Sequence, residues 1–271
     1  MTSMWNKNLF SLTCSCLLAS LAGPLAANDN IGETVGKAYD LKSGELLYRE
    51  THCVSADGFD REVIYQDAGG KLIARKVLDY SSGWITPSFV QYNHYSNESI
   101  EVGLDQGAVS MAVVDLDDRS ASKAAVAQPG AASPVVIDAG FDGFVRQHWD
   151  ELVAGASREF QFPFANRQSL VDLRIQPLSC SYPTETDQCF RLDLANWLLR
   201  VVVKPIELGY DVASRRLTRY RGLSNIGDAD GNGLVVDIRY DYDGIAPQAC
   251  QLIDQTLSRK INPDASAEEP S

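Results

Sequence analysis

Strict alternation of apolar and polar residues is the feature that most constrains this chain. Ile100, Val102 and Leu104 alternate with Ser99, Glu101 and Gly103. Phe160, Phe162 and Phe164 alternate with Glu159, Gln161 and Pro163, and Val171, Leu173 and Ile175 with Asp172, Arg174 and Gln176. Ile206, Leu208, Tyr210 and Val212 face away from Glu207, Gly209 and Asp211. The longest run sets Leu234, Val236, Ile238, Tyr240 and Tyr242 against Val235, Asp237, Arg239 and Asp241. A period of two belongs to a strand with one buried face. Turn signals part such runs: Lys42-Ser43-Gly44, Ala56-Asp57-Gly58, Ala68-Gly69-Gly70 and Asp105-Gln106-Gly107. Closely spaced one-sided strands build an antiparallel sheet with a wet face, not a parallel α/β sheet. The expected fold is mainly β: a strongly curved antiparallel sheet or half-open β-barrel.

One helix interrupts the pattern, over about 139–154. Asp138 is placed to cap it, and Gly155 is placed to end it. Phe141, Phe144, Val145, His148, Trp149, Leu152 and Val153 keep helical spacing and form a wide aromatic stripe, so this helix must pack on the sheet. Residues 196–203 suit either a helix or a strand, and a short helix is expected from Pro247, with Cys250, Ile253 and Leu257 on one side.

The ends and the cysteines give the address. Lys7 followed by the apolar stretch Leu9 to Ala22 reads as an export signal over residues 1–27, cleaved after Ala22 or after Ala27. Cys14 and Cys16 sit inside the apolar run and not at its end, as a lipid-attachment cysteine would, so a soluble periplasmic protein is expected. The remaining cysteines are Cys53, Cys180, Cys189 and Cys250, which fit two disulfides in an oxidising compartment. Cys180 and Cys189 flank a turn-like stretch between two strand-like runs, which favours Cys180–Cys189 and leaves Cys53–Cys250 by subtraction. A single β-rich domain is expected over 31–257, with a flexible Ala/Ser-rich loop at 118–133 and a disordered tail at 261–271. The chain carries 24 basic and 36 acidic residues, a net charge of −12. That balance repels phosphate backbones and excludes nucleic acid as a natural partner. No run after the leader is long and apolar enough to span a bilayer, so an integral membrane protein is not expected either.

Three segments carry a resemblance: AYDLKSGELLYRE at Ala38 to Glu50, DAGFDGFVRQHWDELVAG at Asp138 to Gly155, and PIELGYDVASRRLTRYRGLSNI at Pro205 to Ile226. Together they resemble an uncharacterised family of exported proteobacterial proteins. In architecture the chain is also similar to the half-open β-barrels of periplasmic lipoprotein carriers and related lipid-binding proteins. That second resemblance implies a curved sheet whose concave face holds a hydrophobic ligand.

Candidate chemistry is sparse. Asp228, Asp230 and Asn232 match the first half of a calcium loop, but Arg239 stands at the twelfth position, where a bidentate Glu is needed. Calcium is the one cofactor this pattern implies. Gly222-Leu-Ser224-Asn-Ile226 lacks the last glycine of a nucleophile elbow. Gly32 to Lys37 is one residue short of a phosphate loop. His52 and Cys53 are neighbours on a strand and point to opposite faces. His94 and His148 have no ligand spacing. With no catalytic constellation, an enzyme is not expected. Arg219 and Arg221 are expected to share a face with Leu217 and to meet an anionic ligand group, or else to pair with nearby acids. The first functional expectation is a carrier of a lipid-like molecule, lined by Phe160, Phe162, Phe164 and Tyr210, with Arg219 and Arg221 as further ligand-binding candidates. The alternative is a structural or adaptor protein of the cell envelope, its core filled and its partner another envelope protein.

Overall fold

The structure, a computed structural model, describes residues 34–242 except 56–57, 119, 131–132, 197–203 and 229–231. The side chains of 121–123 are likewise left out. The expected export signal, the C-terminal helix and tail, and nearly all of the ambiguous segment at 196–203 therefore lie outside the described residues.

Among the described residues, alternation becomes one antiparallel sheet of fourteen strands. Its first half comprises β1 (Thr34–Asp40), β2 (Leu46–Val54), β3 (Asp60–Asp67), β4 (Leu72–Asp79), β5 (Ser88–Asn93), β6 (Glu98–Asp105), β7 (Ala108–Asp115) and β8 (Ala121–Ala127). Two helices follow, α1 (Gly140–Gln147) and α2 (Trp149–Val153). The second half comprises β9 (Arg158–Phe164), β10 (Ser169–Leu178), β11 (Asp187–Leu194), β12 (Ile206–Asp211), β13 (Leu217–Gly227) and β14 (Gly233–Asp241). Each half is a meander, and the two join where β1 pairs with β14, Gly36 opposite Tyr240. The edges are β8 and β9. The sheet curves but is not closed by a ladder. The β9 edge is covered by the segment before α1: Val136 N–H donates to Gln161 O (2.9 Å), and Gln161 N–H to Pro134 O (2.8 Å).

The Ala/Ser-rich stretch 118–133, expected as a flexible loop, contains β8. Its short side chains carry no hydrophobic period, yet they pair in register with β7, Met111 opposite Ala125 and Ala112 opposite Ala124. Tertiary pairing overrides weak local propensity here.

The strands turn one face inward, and three clusters of buried side chains pack on it. Against β9–β13 lie Phe144, Val145, Trp149 and Leu152 of the two helices, packed with Phe160, Ile175, Phe190, Leu208 and Tyr210. Against β1–β4, β13 and β14 lie Tyr48, Val63, Tyr65, Leu78, Val236 and Ile238. Against β6 and β7 sit Ile137 and Ala165. Each large side chain buried in this way contributes about 1.5–3 kcal/mol.

The helix differs from expectation in two respects. It breaks at His148 (φ −104°), although Leu152 N–H still donates to His148 O (2.9 Å) across the break. Its start is also not capped by Asp138. Ala139 occupies the cap position with no side-chain hydrogen bond, and Asp138, at φ +43°, turns its carboxylate to Lys76 (2.7 and 2.8 Å). The Lys76 side chain is only 3% exposed, and a buried ammonium needs a counter-charge more than the helix needs a cap. Gly155 ends α2 at φ +101°, a conformation that favours glycine. Gly140 and Gly143 let α1 lie directly on the β4–β5 connection: a Cβ on Gly143 would come within 2.7 Å of the Trp84 carbonyl oxygen, and one on Gly140 would strike Ile85.

Candidate binding surfaces

The expected ligand-lining residues do not surround an open space. Phe160 is 1% exposed and Tyr210 fully buried. The Phe160 ring lies 4.9 Å from Phe144, and the Tyr210 ring 6.0 Å from Trp149 and 5.9 Å from Phe190. Phe162 packs against the same cluster. Helix side chains thus occupy the position expected for a ligand. Phe164, at the end of β9, is half exposed beside the guanidinium of Arg167 (5.7 Å).

Arg219 and Arg221 are on the opposite face. The pairing of β12 with β13 shifts register between Gly209 and Tyr210, a bulge that breaks the alternation after Leu217. Leu217 and Tyr220 therefore both pack inward, and the two arginines point out, which corrects the expectation that they share a face with Leu217. Outside, they are spent on carboxylates. Arg219 makes a bidentate pair with Asp237 (both 2.6 Å), Arg239 adds a third bond to Asp237 (3.2 Å), and Arg221 meets Glu207 (3.3 Å). Burial pushes the Asp237 carboxyl up, but the Arg219 bonds outweigh it and hold the group below the usual carboxylate range. The Arg219 guanidinium also lies 3.9 Å over the Tyr182 ring. Tyr182 belongs to the hairpin closed by the Cys180–Cys189 disulfide, which is present as expected. That hairpin folds back on β12, where Gly209 leaves the room that the Tyr182 hydroxyl fills.

A polar cluster that sequence reasoning missed lies on the inner face near the β1–β14 junction. Tyr240, Gly36, Glu50 and Tyr65 stand in one register row across β14, β1, β2 and β3. Glu50 is 3% exposed and fits because Gly36 has no side chain: a Cβ there would lie 2.6 Å from Glu50 Cγ. His52 Nε2 is 3.1 Å from Glu50 Oε1, and its ring meets Tyr240 edge-on at 5.9 Å. Burial, and next the Glu50 charge, push the hydroxyls of Tyr48, Tyr65, Tyr220 and Tyr240 above the ordinary tyrosine range. Tyr48 shares a 2.7 Å hydrogen bond with Ser224 Oγ, which also accepts from Ile226 N–H (2.9 Å). Ser224 is thus committed to the sheet. Gln91 reaches Asn93 (2.8 Å) and the Asn225 carbonyl (3.2 Å). The row spans the junction between the two halves of the sheet, with Tyr240 and Tyr65 flanking Gly36 and Glu50. The signal was present in the sequence: Tyr48, Glu50 and His52 share one face by alternation.

Asp228 holds Asn232 through both carboxylate oxygens (2.8 Å to N, 3.1 Å to Nδ2), and Asp230 lies outside the described residues. Cys53 is fully buried, and Cys250 lies outside the described residues. His148 Nδ1 is 3.3 Å from Glu151 and its ring 4.6 Å from Phe144.

On the outer face of β4–β8 runs a groove of about 1000 Å³. Two register rows make it: Val77, Val90, Glu101, Ala112 and Ala124 in one, and Asp79, Ser88, Gly103, Ser110 and Val126 in the other. Small side chains at 103, 110, 112 and 124 lower the floor between valines.

By fold the chain is an open, barrel-like antiparallel sheet with a helix packed into its concave face. Among solved structures it is similar to a β-barrel-like protein of a domain of unknown function, DUF1849, from Brucella abortus, at a TM-score of 0.40 and 6% identity over 78% of this chain and 95% of that one. No protein-family model and no curated protein matches the chain. Among the described residues no helix is long and apolar enough to cross a membrane.

Proposed function

We propose that this chain is a non-enzymatic adaptor of the bacterial cell envelope, working in the periplasm through its outer surface. The observation that carries the reading is the filled concave face: Phe144, Val145, Trp149 and Leu152 occupy the space over β9–β13 that a carrier would keep for its ligand. Carriers keep an apolar cavity lined by a few polar groups, whereas here the apolar lining is consumed by the chain's own helix. The periplasmic address is supported by the expected export signal and by the Cys180–Cys189 disulfide, a bond that persists in oxidising compartments. The competing reading, carriage of a lipid-like molecule as in periplasmic lipoprotein carriers, requires α1 and α2 to leave the sheet. Native mass spectrometry of the protein purified from a bacterial periplasm separates the two. The adaptor reading expects the bare chain mass. A stoichiometric lipid adduct that disappears on delipidation would overturn it.

A further inference from the structure

Resting on the adaptor reading, we infer that the outer groove of β4–β8 is the docking site for an extended, basic-and-apolar segment of a partner protein. Elsewhere on the outer face of the sheet, several acids are matched by arginines: Glu62 by Arg75, Glu159 by Arg174 (2.6 Å), Asp193 by Arg191 (2.7 Å), Glu207 by Arg221 (3.3 Å) and Asp237 by Arg219 (2.6 Å). In the groove, Asp79 and Glu101 depart from this pattern. They line it together with Asp60, and among the described residues no lysine or arginine lines it and neither Asp79 nor Glu101 has an ion-pair partner. The carboxylates' own hydrogen bonds are local: Asp79 accepts from Ser81 N–H (2.8 Å) and Glu101 from Ser99 Oγ (3.2 Å). Beside them the floor is small and apolar, and Val126 stands 70% exposed at its rim. Carboxylates set along an apolar floor fit cationic residues alternating with apolar ones, and they repel an anionic lipid surface. Four interstrand steps, from β4 to β8, span about 19 Å, the length of about six extended residues. The small floor residues let a backbone approach closely, as extended-peptide recognition requires.

The test uses a fluorescein-labelled hexapeptide of alternating Arg and Val, titrated with the full mature protein and read by anisotropy at low and at physiological salt. Saturable binding is expected, weakened about tenfold by the double variant Asp79→Asn/Glu101→Gln and by added salt. Ala112→Trp, which fills the floor, is expected to weaken binding by a similar factor. Glu159→Gln, on the outer face of β9, is expected to leave it unchanged. Circular dichroism of each variant checks the fold; if Ala112→Trp fails to fold, the charge variant on the rim decides alone. No saturable binding by the wild type, or equal loss in Glu159→Gln, overturns the proposal. So does sedimentation of the wild type with phosphatidylglycerol vesicles that is lost in Ala112→Trp, because it assigns the groove to a membrane. None of these outcomes produces a lipid adduct in the native mass spectrum, so failure of the groove and failure of the adaptor reading are told apart.

Discussion

The ion pair between Lys76 and Asp138 ties the helical plug to the sheet, and cutting it is expected to be costly. Lys76 lies on β4 with 3% of its side chain exposed, and Asp138 just before α1 with 17% exposed. The ammonium donates to both carboxylate oxygens at 2.7 and 2.8 Å and stands 5.1 Å from the Phe89 ring. Removing one partner of a buried pair leaves the other charge without compensation, which costs about 3–5 kcal/mol. Lys76→Met keeps the apolar stem and strands a carboxylate that retains some water, so its cost belongs near the lower figure, about 3 kcal/mol. Asp138→Asn strands the deeper ammonium and is expected to cost at least as much. At about 2–4 °C per kcal/mol for a domain of this size, Lys76→Met should lower the melting temperature by roughly 6–12 °C. The double variant Lys76→Met/Asp138→Asn removes both charges and should recover much of the loss. Urea denaturation of the four proteins, followed by tryptophan fluorescence and far-ultraviolet circular dichroism, gives the coupling directly. A single-variant cost below about 0.5 kcal/mol, or costs that simply add, would refute the claim that this pair anchors the plug.

Two further outcomes follow from the interior and from the β13–β14 turn. Eight tyrosines (Tyr48, Tyr65, Tyr80, Tyr182, Tyr210, Tyr220, Tyr240 and Tyr242) have their hydroxyls pushed up, chiefly by burial. A group whose folded value is raised contributes stability that is complete below its unfolded value, about 10, and is lost as pH climbs beyond it. Stability is therefore expected to fall steeply above about pH 10, with tyrosinate absorbance and loss of circular dichroism appearing together. Reversible ionisation of most tyrosines in the folded protein would contradict this. Calcium is expected to leave the melting temperature unchanged, because the Asn232 side-chain amide already donates to Asp228 and turns its oxygen away from that carboxylate. A calcium-dependent rise that Asp230→Ala abolishes would restore the turn as a cation site.

How much of this was legible in the sequence depends on whether the information lies within one strand or between strands. The runs at 99–104, 159–164, 171–176, 206–211 and 234–241 all became strands, because a period of two is written locally. β8 was illegible for the complementary reason. In AlaSerLysAlaAlaValAla nearly every side chain is too small to mark a face, and only pairing with β7 decides its state. The two arginines failed in a third way. Their face was read by counting from Leu217, and one bulge against β12 reverses the parity of everything after it. The same limit hid the polar interior and the helix anchor. Alternation put Tyr48, Glu50 and His52 on one side but could not say that the side is inward, since a Glu and a His look like a wet face. What makes Glu50 an interior residue is Gly36 on the neighbouring strand, which alone leaves it room. What takes Asp138 from the helix cap is Lys76, 62 residues earlier. In a sheet whose first and last strands pair with each other, the residues that decide inside from outside are supplied by distant partners. The outer groove is readable on the same terms, from a small residue at each of four strand positions brought into register only by the fold.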